Sequence, residues 1–175
     1  MKRKNDPPDK PWSKPPRGWV KLTIDGSFKT EDGTAGTGMI LRDADGGIIF
    51  SACRSLQSCT EALEAELSSC LEGLNLAIQH SQLPIIIDSD CSQLVASAGT
   101  KAQDRSAFLH IISEIKFIAG SDRVCNFVKV DRGQVRVSHC LANWARTENI
   151  TAFWLGSAPD IIQELIAVPL VTPDA

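Results

Sequence analysis

The sequence predicts an α/β domain with a mixed five-stranded sheet, in which three antiparallel strands are followed by two parallel strands and helices flank the sheet. Three consecutive apolar segments separated by glycine-rich turns come first, and the apolar spacing becomes helical from about residue 60. Two further apolar segments then alternate with helical ones. The resulting order, βββαβαβ, is typical of a mixed sheet with right-handed helical crossovers.

The first three strands are predicted from alternation and turn residues. Residues 19–25 alternate well, and glycines between positions 26 and 38 mark the turn before a second strand at 38–42. Residues 43–47, Asp-Ala-Asp-Gly-Gly, are typical of a hairpin turn, and residues 48–53 provide the returning strand. We therefore expect three antiparallel strands in succession.

A long helix is predicted over residues 60–80, where leucines and one isoleucine at helical spacing occupy positions 63, 67, 71, 74 and 78. Thr60 is a candidate N-cap for this helix. Glu66 lies in a neighbouring row of otherwise small residues that includes Ser69, Gly73 and Ala77. Because small residues allow a helix to approach a sheet closely, we expect Glu66 to lie at the edge of the helix that packs on the sheet and not on its solvent-exposed face.

The second half of the chain begins with three isoleucines that run directly into Asp88-Ser89-Asp90, a pattern typical of a covered parallel strand with acids at its end. The later elements are a short helix at 92–98, an amphipathic helix at 106–119, a fifth strand at 123–130, a loop at 131–134, a helix at 137–146 and a short helix at 160–166. We find no internal repeat.

Composition indicates one globular domain with tails, since 43% of the 175 residues are hydrophobic and 22% are charged. Residues 1–17 are rich in proline and carry six basic against two acidic groups, a net charge of +4, so we expect a disordered basic lead-in. The domain is predicted at 18–147, and residues 148–175 form a C-terminal extension with a short helix.

The charge outside the lead-in is acidic, because residues 18–175 hold 12 basic against 19 acidic groups, a net −7. This argues against a strongly basic nucleic-acid-binding face, but not against a nuclease whose acids are neutralised by metal. The chain has no apolar run near eighteen residues and begins Met-Lys-Arg-Lys. We expect no signal peptide, no membrane association and an intracellular monomer in the nucleus or cytoplasm.

Three acids are candidate metal ligands, namely Asp25, Glu66 and Asp90. Asp25 and Asp90 follow apolar strands that can be adjacent and parallel, and Glu66 lies on the nearby helix edge. Charged groups at the end of a buried strand are costly unless they are paired, hydrated or bound to metal. Carboxylate oxygens suit Mg²⁺, and two ions about 3.5–4 Å apart hydrolyse phosphodiesters.

Each acid also has a purely structural interpretation. Asp25 can begin a turn with Gly26, and Asp90 can cap the helix that follows it. Asp88 can be an exposed strand acid, and Glu66 can extend from the helix flank to water. Together, in this order along the chain, Asp25, Glu66 and Asp90 favour shared metal binding.

These segments together resemble the plant-type ribonuclease H domain, which is related to the ribonuclease H region of non-LTR retrotransposon polyproteins. The resemblance covers about residues 12–166 through Asp25-Gly26-Ser27, Ala65-Glu66-Leu67, Glu72-Gly73-Leu74, Ile87-Asp88-Ser89-Asp90 and Ser138-His139-Cys140-Leu141-Ala142. It implies a ribonuclease H-like fold and cleavage of RNA in RNA/DNA hybrids with Mg²⁺ or Mn²⁺, leaving a 5′-phosphate. It also implies Asp25, Glu66 and Asp90 as catalytic metal ligands.

The chain departs from this pattern at the fourth catalytic position, where active members usually have an aspartate and this sequence has His139. Imidazole binds Mn²⁺ but is a poor ligand for Mg²⁺ and brings no negative charge. We therefore expect a two-metal site with a weakly held second ion and low activity that is higher with Mn²⁺. The alternative for His139 is a hydrogen-bonded structural residue.

Two interpretations from other classes stay open. The chain can be a catalytically silent module that binds nucleic acid or protein, or a structural fragment of a longer retroelement-derived protein. In the enzyme and the nucleic-acid-binding interpretations, the partner is an RNA/DNA hybrid or another nucleic acid. Five basic residues can face its phosphate backbone or simply be solvated, namely Lys29, Lys101, Arg105, Arg132 and Arg136.

Overall fold

A mixed six-stranded sheet forms the centre of the protein, whose computed structural model describes residues 10–99, 107–121 and 123–167. In chain order the strands are β1 (Val20–Phe28), β2 (Ala35–Arg42), β3 (Ile48–Leu56), β4 (Ile85–Ser89), β5 (Cys125–Lys129) and β6 (Ala152–Leu155). Across the sheet their order is β5-β4-β1-β2-β3-β6. The pairs β1–β2, β2–β3 and β3–β6 are antiparallel, whereas β1–β4 and β4–β5 are parallel.

Within the described ranges, five helices flank the sheet: α1 (Ala62–His80), α2 (Ser92–Gly99), α3 (Leu109–Ala119), α4 (Arg136–Glu148) and α5 (Gln163–Ile166). Single 3₁₀ turns, Arg132–Val135 and Asp160–Ile162, precede α4 and α5. The main core, which includes Leu22, Leu74 and Ile112, lies between the sheet, α1 and α3. A smaller core packs α4 against the other face through Leu141 and Ala145. No helix in the described ranges is long and apolar enough to cross a membrane.

The prediction of five strands was wrong by one strand, because residues 152–155 form β6 at the edge of the sheet. Cys53 pairs with Ala152 and Phe50 with Leu155. The strand lies in the segment expected to be a C-terminal extension, at 148–175. Its four residues are too few for a reliable alternation pattern, so its pairing with β3 depends on tertiary structure.

Several predicted boundaries also move. Thr60 was predicted as the N-cap of α1, but Glu61 precedes the helix, and both the N–H and the hydroxyl of Thr60 donate to Glu64. The predicted loop at 131–134 is a 3₁₀ turn in which Asp131 and Gln134 cap each other. The predicted start of the helix at residue 106 lies outside the described residues, and α3 begins at Leu109.

The lead-in predicted at 1–17 is described from residue 10 onward, and its residues 10–17 lie against the sheet. The indole N–H of Trp12 donates to the hydroxyl of Thr23 at 3.2 Å, and the guanidinium of Arg42 lies 4.2 Å from the ring centroid. Lys21 donates to the backbone carbonyl of Ser13 at 2.7 Å. Trp12 and Ser13 therefore attach a proline-rich segment whose composition alone suggested disorder.

Glycines let α1 and α4 approach opposite faces of β1 and β2. A Cβ at Gly26 would lie 2.5 Å from the backbone nitrogen of Glu66 in α1. On the other face, a Cβ at Gly38 would overlap the carbonyl oxygen of Ser138 in α4. Because neither glycine has a side chain, each helix backbone rests directly on a strand backbone.

Substitution of Gly38 by alanine should destabilise the protein by about 1–3 kcal/mol or more, because the new methyl group must push α4 away from β2. Urea unfolding of the variant measures this loss. Gly99→Ala is the matched control, since a Cβ there meets open space, and its free energy of unfolding should stay equal or rise slightly. Equal stability of Gly38→Ala and the wild type would contradict the close packing of α4.

Candidate metal centre

Adjacent parallel strands bring Asp25 and Asp90 to the same edge of the sheet. Thr23 of β1 pairs with Asp88 of β4, and Asp25 and Asp90 each lie two residues farther along. Since side chains alternate between faces, both acids share the face on which α4 packs. The expected pairing of the first and fourth strands is therefore confirmed, and it aligns the two carboxylates.

Glu66 reaches the same point from α1. The backbone of Ala65 and Glu66 rests on Gly26, the residue directly after Asp25. One carboxylate oxygen each from Asp25, Glu66 and Asp90 lies within 4.8 Å of the others. The three acids line a cavity of about 580 Å³ that Arg132 and His139 also border. The structure thus brings together the three acids that the sequence analysis selected.

The Glu66 carboxyl is electrostatically uncompensated. Its Oε2 atom is shielded from solvent and has no hydrogen-bond partner within the residues that the structure describes. Burial, and then repulsion by Asp25 and Asp90, raise the pKa of Glu66, while a hydrogen bond from the Gly26 N–H opposes the shift. An orphaned oxygen beside two more carboxylates fits a hard divalent cation, because such a cation prefers oxygen ligands and would supply the missing positive charge.

Asp90 is less buried and partly compensated. Burial raises the pKa of its carboxyl, repulsion by Asp25 adds to the shift, and Arg132, Lys129 and His139 oppose it. Arg132 Nε lies 3.7 Å from Asp90 Oδ2, but the Arg132 side chain is 92% exposed. Such an exposed ion pair contributes little to stability, so Arg132 stays free to contact a ligand at the cavity mouth.

His139 projects from the first turns of α4 onto Asp25. Its Nδ1 lies 2.7 Å from Asp25 Oδ2, and the imidazole side chain is 66% exposed while that of Asp25 is 5% exposed. This hydrogen bond is the main reason that the pKa of His139 is raised. The fourth predicted site residue therefore joins the other three, and it does so through a hydrogen bond with the carboxylate of Asp25, a candidate metal ligand.

Asp88 differs from its expected exposed position on the strand. The residue is 1% exposed, and its Oδ2 lies 3.5 Å from Lys21 Nζ. Burial raises the pKa of Asp88 to about 6, and Lys21 opposes the shift. Strand alternation could have indicated the burial of Asp88 against Lys21. It places Asp88 on the same face of the sheet as Asp90, and Lys21 on the same face as Asp25.

The predicted basic residues divide between the cavity and the rest of the surface. Arg132 and Arg136 line the cavity, and Lys29 forms an exposed ion pair with Asp32 at 3.9 Å. Lys101 and Arg105 lie outside the described residues. Sequence reasoning did not select Arg146, which lies three turns along α4 and hydrogen-bonds with Ser27 of β1.

A family model described as "Reverse transcriptase-like" matches residues 23–145, a range that includes all four clustered residues. The chain belongs to this family. The curated "Putative ribonuclease H protein At1g65750" of Arabidopsis thaliana is 25% identical over 155 residues, covering 89% of this chain. The chain spans about a quarter of the length of that relative, 25%.

Solved structures of ribonucleases H share the fold of this reverse transcriptase-like chain. RNase H1 of Halobacterium salinarum superposes with a TM-score of 0.67 at 20% identity, covering 73% of this chain and 97% of its own. The N-terminal RNase H domain of Rv2228c from Mycobacterium tuberculosis gives 0.68 at 20%, with 74% and 94% covered. LC11-RNase H1 in complex with an RNA/DNA hybrid gives 0.66 at 16%, with 74% and 98% covered. The expected ribonuclease H-like resemblance is confirmed.

The pH dependence of stability should report the uncompensated Glu66. A carboxyl whose pKa rises on folding stabilises the folded state fully below its unfolded pKa, near 4.5, and this contribution is lost as the pH rises toward the folded pKa. In EDTA, the free energy of unfolding should therefore fall above about pH 6, and Glu66→Gln should remove up to about 1.4 kcal/mol per pH unit of that fall.

Urea unfolding between about pH 7 and about pH 9 makes the comparison above the pKa of Asp88, which is about 6. Mn²⁺ should raise the stability of the wild type at the upper pH more than that of Glu66→Gln, because the cation replaces the missing charge. Glu148→Gln, at the exposed end of α4, is the control and should keep the wild-type slope. Identical slopes for wild type and Glu66→Gln would contradict the electrostatic description of the centre.

Proposed function

We propose that the protein is a divalent-metal-dependent endonuclease that cleaves the RNA strand of RNA/DNA hybrids. The observation that carries this proposal is the convergence of Asp25, Glu66 and Asp90 within 4.8 Å beside an open cavity. The ribonuclease H-like fold supports the assignment. So does the similarity to LC11-RNase H1, whose structure was solved in complex with an RNA/DNA hybrid.

Asp25, Glu66 and Asp90 would hold Mg²⁺ or Mn²⁺ through carboxylate oxygens. Bound divalent ions supply activation of water and stabilisation of negative charge on the phosphate. Hydrolysis adds water across the P–O3′ bond and leaves a 5′-phosphate on one product and a 3′-hydroxyl on the other. Asp25 lies close to both Glu66 and His139, so it would be the central ligand of the site.

The remaining cavity residues orient the substrate. Arg132 and Arg136 lie on the cavity wall, where they can bind phosphate oxygens and offset the repulsion between the acids and the backbone. The hybrid is recognised by backbone shape and 2′-hydroxyl groups, with no reading of base sequence. Because residues 18–175 carry a net −7, binding depends on where these few cations lie.

Cleavage of an end-labelled RNA/DNA hybrid tests the proposal. The wild type should cut the RNA strand in Mn²⁺ and more slowly in Mg²⁺, whereas Glu66→Gln and Asp90→Asn should each lose at least about 100-fold in rate. Glu148→Gln should cut like the wild type. Equal cutting by Glu66→Gln would rule out the carboxylate cluster as the active site.

The hydrogen bond between His139 and Asp25 favours a second candidate, a catalytically silent nucleic-acid-binding module. His139 Nδ1 lies 2.7 Å from Asp25 Oδ2, so the imidazole would compete with a cation for this carboxylate oxygen. In this alternative the domain binds a hybrid through the same face but does not hydrolyse it. The neutral or cationic imidazole also lacks the negative charge that would attract the second ion.

Substitution of His139 by aspartate separates the two candidates. If the wild type is inert and His139→Asp cuts in Mg²⁺, the domain is a silenced enzyme scaffold and the binding module is the better description. If the wild type already cuts in Mn²⁺, His139 is compatible with catalysis, and His139→Asp should raise the Mg²⁺ rate by at least about tenfold. No cutting by any folded variant would count against the endonuclease.

A further inference from the structure

A polar row extends along α4 on both sides of the metal centre. Its members, Arg136, His139, Asn143 and Arg146, are spaced three, four and three residues apart, so they share one face of the helix. Arg136 borders the cavity and His139 contacts Asp25. Asn143 and Arg146 lie beyond the cavity, about 6 and 10 Å farther along the helix axis than His139.

Arg146 is fixed in place by two hydrogen bonds. Its Nε donates to the Ser27 hydroxyl at 2.8 Å, and its Nη2 donates to Asn143 Oδ1 at 2.9 Å. The Ser27 hydroxyl in turn donates to the same Asn143 oxygen at 3.3 Å. Ser27 is 9% exposed and belongs to β1, two residues after Asp25. The three side chains therefore form a closed triangle attached to the strand that carries the first metal ligand.

The triangle does not use all the N–H donors of Arg146 and Asn143. A guanidinium has five N–H groups, and the two bonds described above use two of them. Because Asn143 Oδ1 accepts two hydrogen bonds, the amide orientation is determined and its NH₂ group points away from Arg146 and Ser27. Asn143 is exposed. The surface beside the triangle is thus rich in fixed N–H donors and carries one full positive charge.

The charges around the triangle favour an anion. No acidic residue occurs between Arg136 and Arg146, although residues 18–175 are acidic overall. Asp32 is the nearby acid whose pKa Arg146 influences, and that acid is already engaged by the Thr34 hydroxyl and by Lys29. The positive charge of Arg146 is therefore largely available to a partner outside the protein.

We propose that Arg146 and Asn143, positioned by Ser27, form a binding subsite for one phosphate of the nucleic-acid backbone. The subsite lies about 10 Å along α4 from His139, a span of about three nucleotides at 3.4 Å per nucleotide. It rests on the proposed function and adds a second point of attachment for the strand that passes the metal centre. A guanidinium with a fixed orientation binds phosphate with little loss of side-chain entropy.

Binding measured without metal tests this subsite independently of cleavage. Fluorescence anisotropy with a labelled RNA/DNA hybrid in EDTA gives the affinity of wild type, Arg146→Gln, Arg146→Lys and the control Arg17→Gln. Arg17 is an exposed arginine that forms an ion pair with Asp45, in the turn between β2 and β3. This turn follows Arg42, which pairs with Lys21 near the start of β1, so Arg17 lies at the opposite end of β1 from Asp25. Thermal melting confirms that each variant is folded.

The loss of one phosphate contact has a defined salt signature. Arg146→Gln should bind the hybrid more weakly than wild type. The ratio of its dissociation constant to that of the wild type should fall about 3.5-fold between about 50 and about 200 mM salt, because the slope of log K against log salt concentration becomes shallower by about 0.9. Arg146→Lys keeps the charge and should retain most of the slope. Arg17→Gln should match the wild type. An unchanged slope in Arg146→Gln would overturn the subsite.

Neutral methylphosphonates placed one at a time along each strand locate the contact. At one position, the neutral linkage should remove the difference in affinity between wild type and Arg146→Gln. If no position does so, Arg146 acts only through general charge and the subsite is wrong. These outcomes are separate from catalysis. If the wild type cuts the hybrid and Arg146→Gln binds it normally, only the subsite is refuted. If the subsite is confirmed but the protein never cuts, only the endonuclease proposal is refuted.

Discussion

The structure depends on backbone contact between two helices and two central strands. Gly26 admits the backbone of α1 to one face, and Gly38 admits that of α4 to the other. Serine hydroxyls secure both contacts, since Ser69 donates to the Gly38 carbonyl at 2.9 Å and Ser138 donates to the Thr23 carbonyl at 2.7 Å. Without this close approach, residues of the two helices could not reach the end of β1 together, because ordinary side-chain packing keeps a helix and a sheet farther apart.

That approach concentrates negative charge where the protein itself offers little to neutralise it. Glu66 has a shielded oxygen without a partner within the described residues, Asp25 is nearly fully buried, and Asp90 is paired with a largely exposed Arg132. A domain of this size is stabilised by several kcal/mol in total, so such an arrangement is a substantial cost. The cost is reasonable at a site whose charge is completed by a cation, and functional sites are where such local costs are expected.

Two groups on α4 lie beside the acidic cluster and can offset part of its negative charge. His139 hydrogen-bonds with Asp25 at the head of α4, and the triangle of Ser27, Asn143 and Arg146 lies farther along the same helix. One helix therefore carries both the residue that departs from the usual catalytic aspartate and the proposed phosphate contact. In the proposed function, α4 would therefore act both on the metal centre, through the contact of His139 with Asp25, and on the nucleic-acid backbone, through Arg146 and Asn143.

Sequence alone determined the order of the first five strands and of the helices between them, the ribonuclease H-like resemblance, and the three candidate acids, because periodicity and ordered motifs are local properties of the chain. It could not determine that β6 completes the sheet, that Asp88 is buried against Lys21, or that Arg146 joins Ser27 across 119 positions. Each of these depends on which residues meet after the chain folds. A four-residue edge strand, a buried ion pair and a side-chain triangle have no periodic signature, so only the tertiary structure decided them.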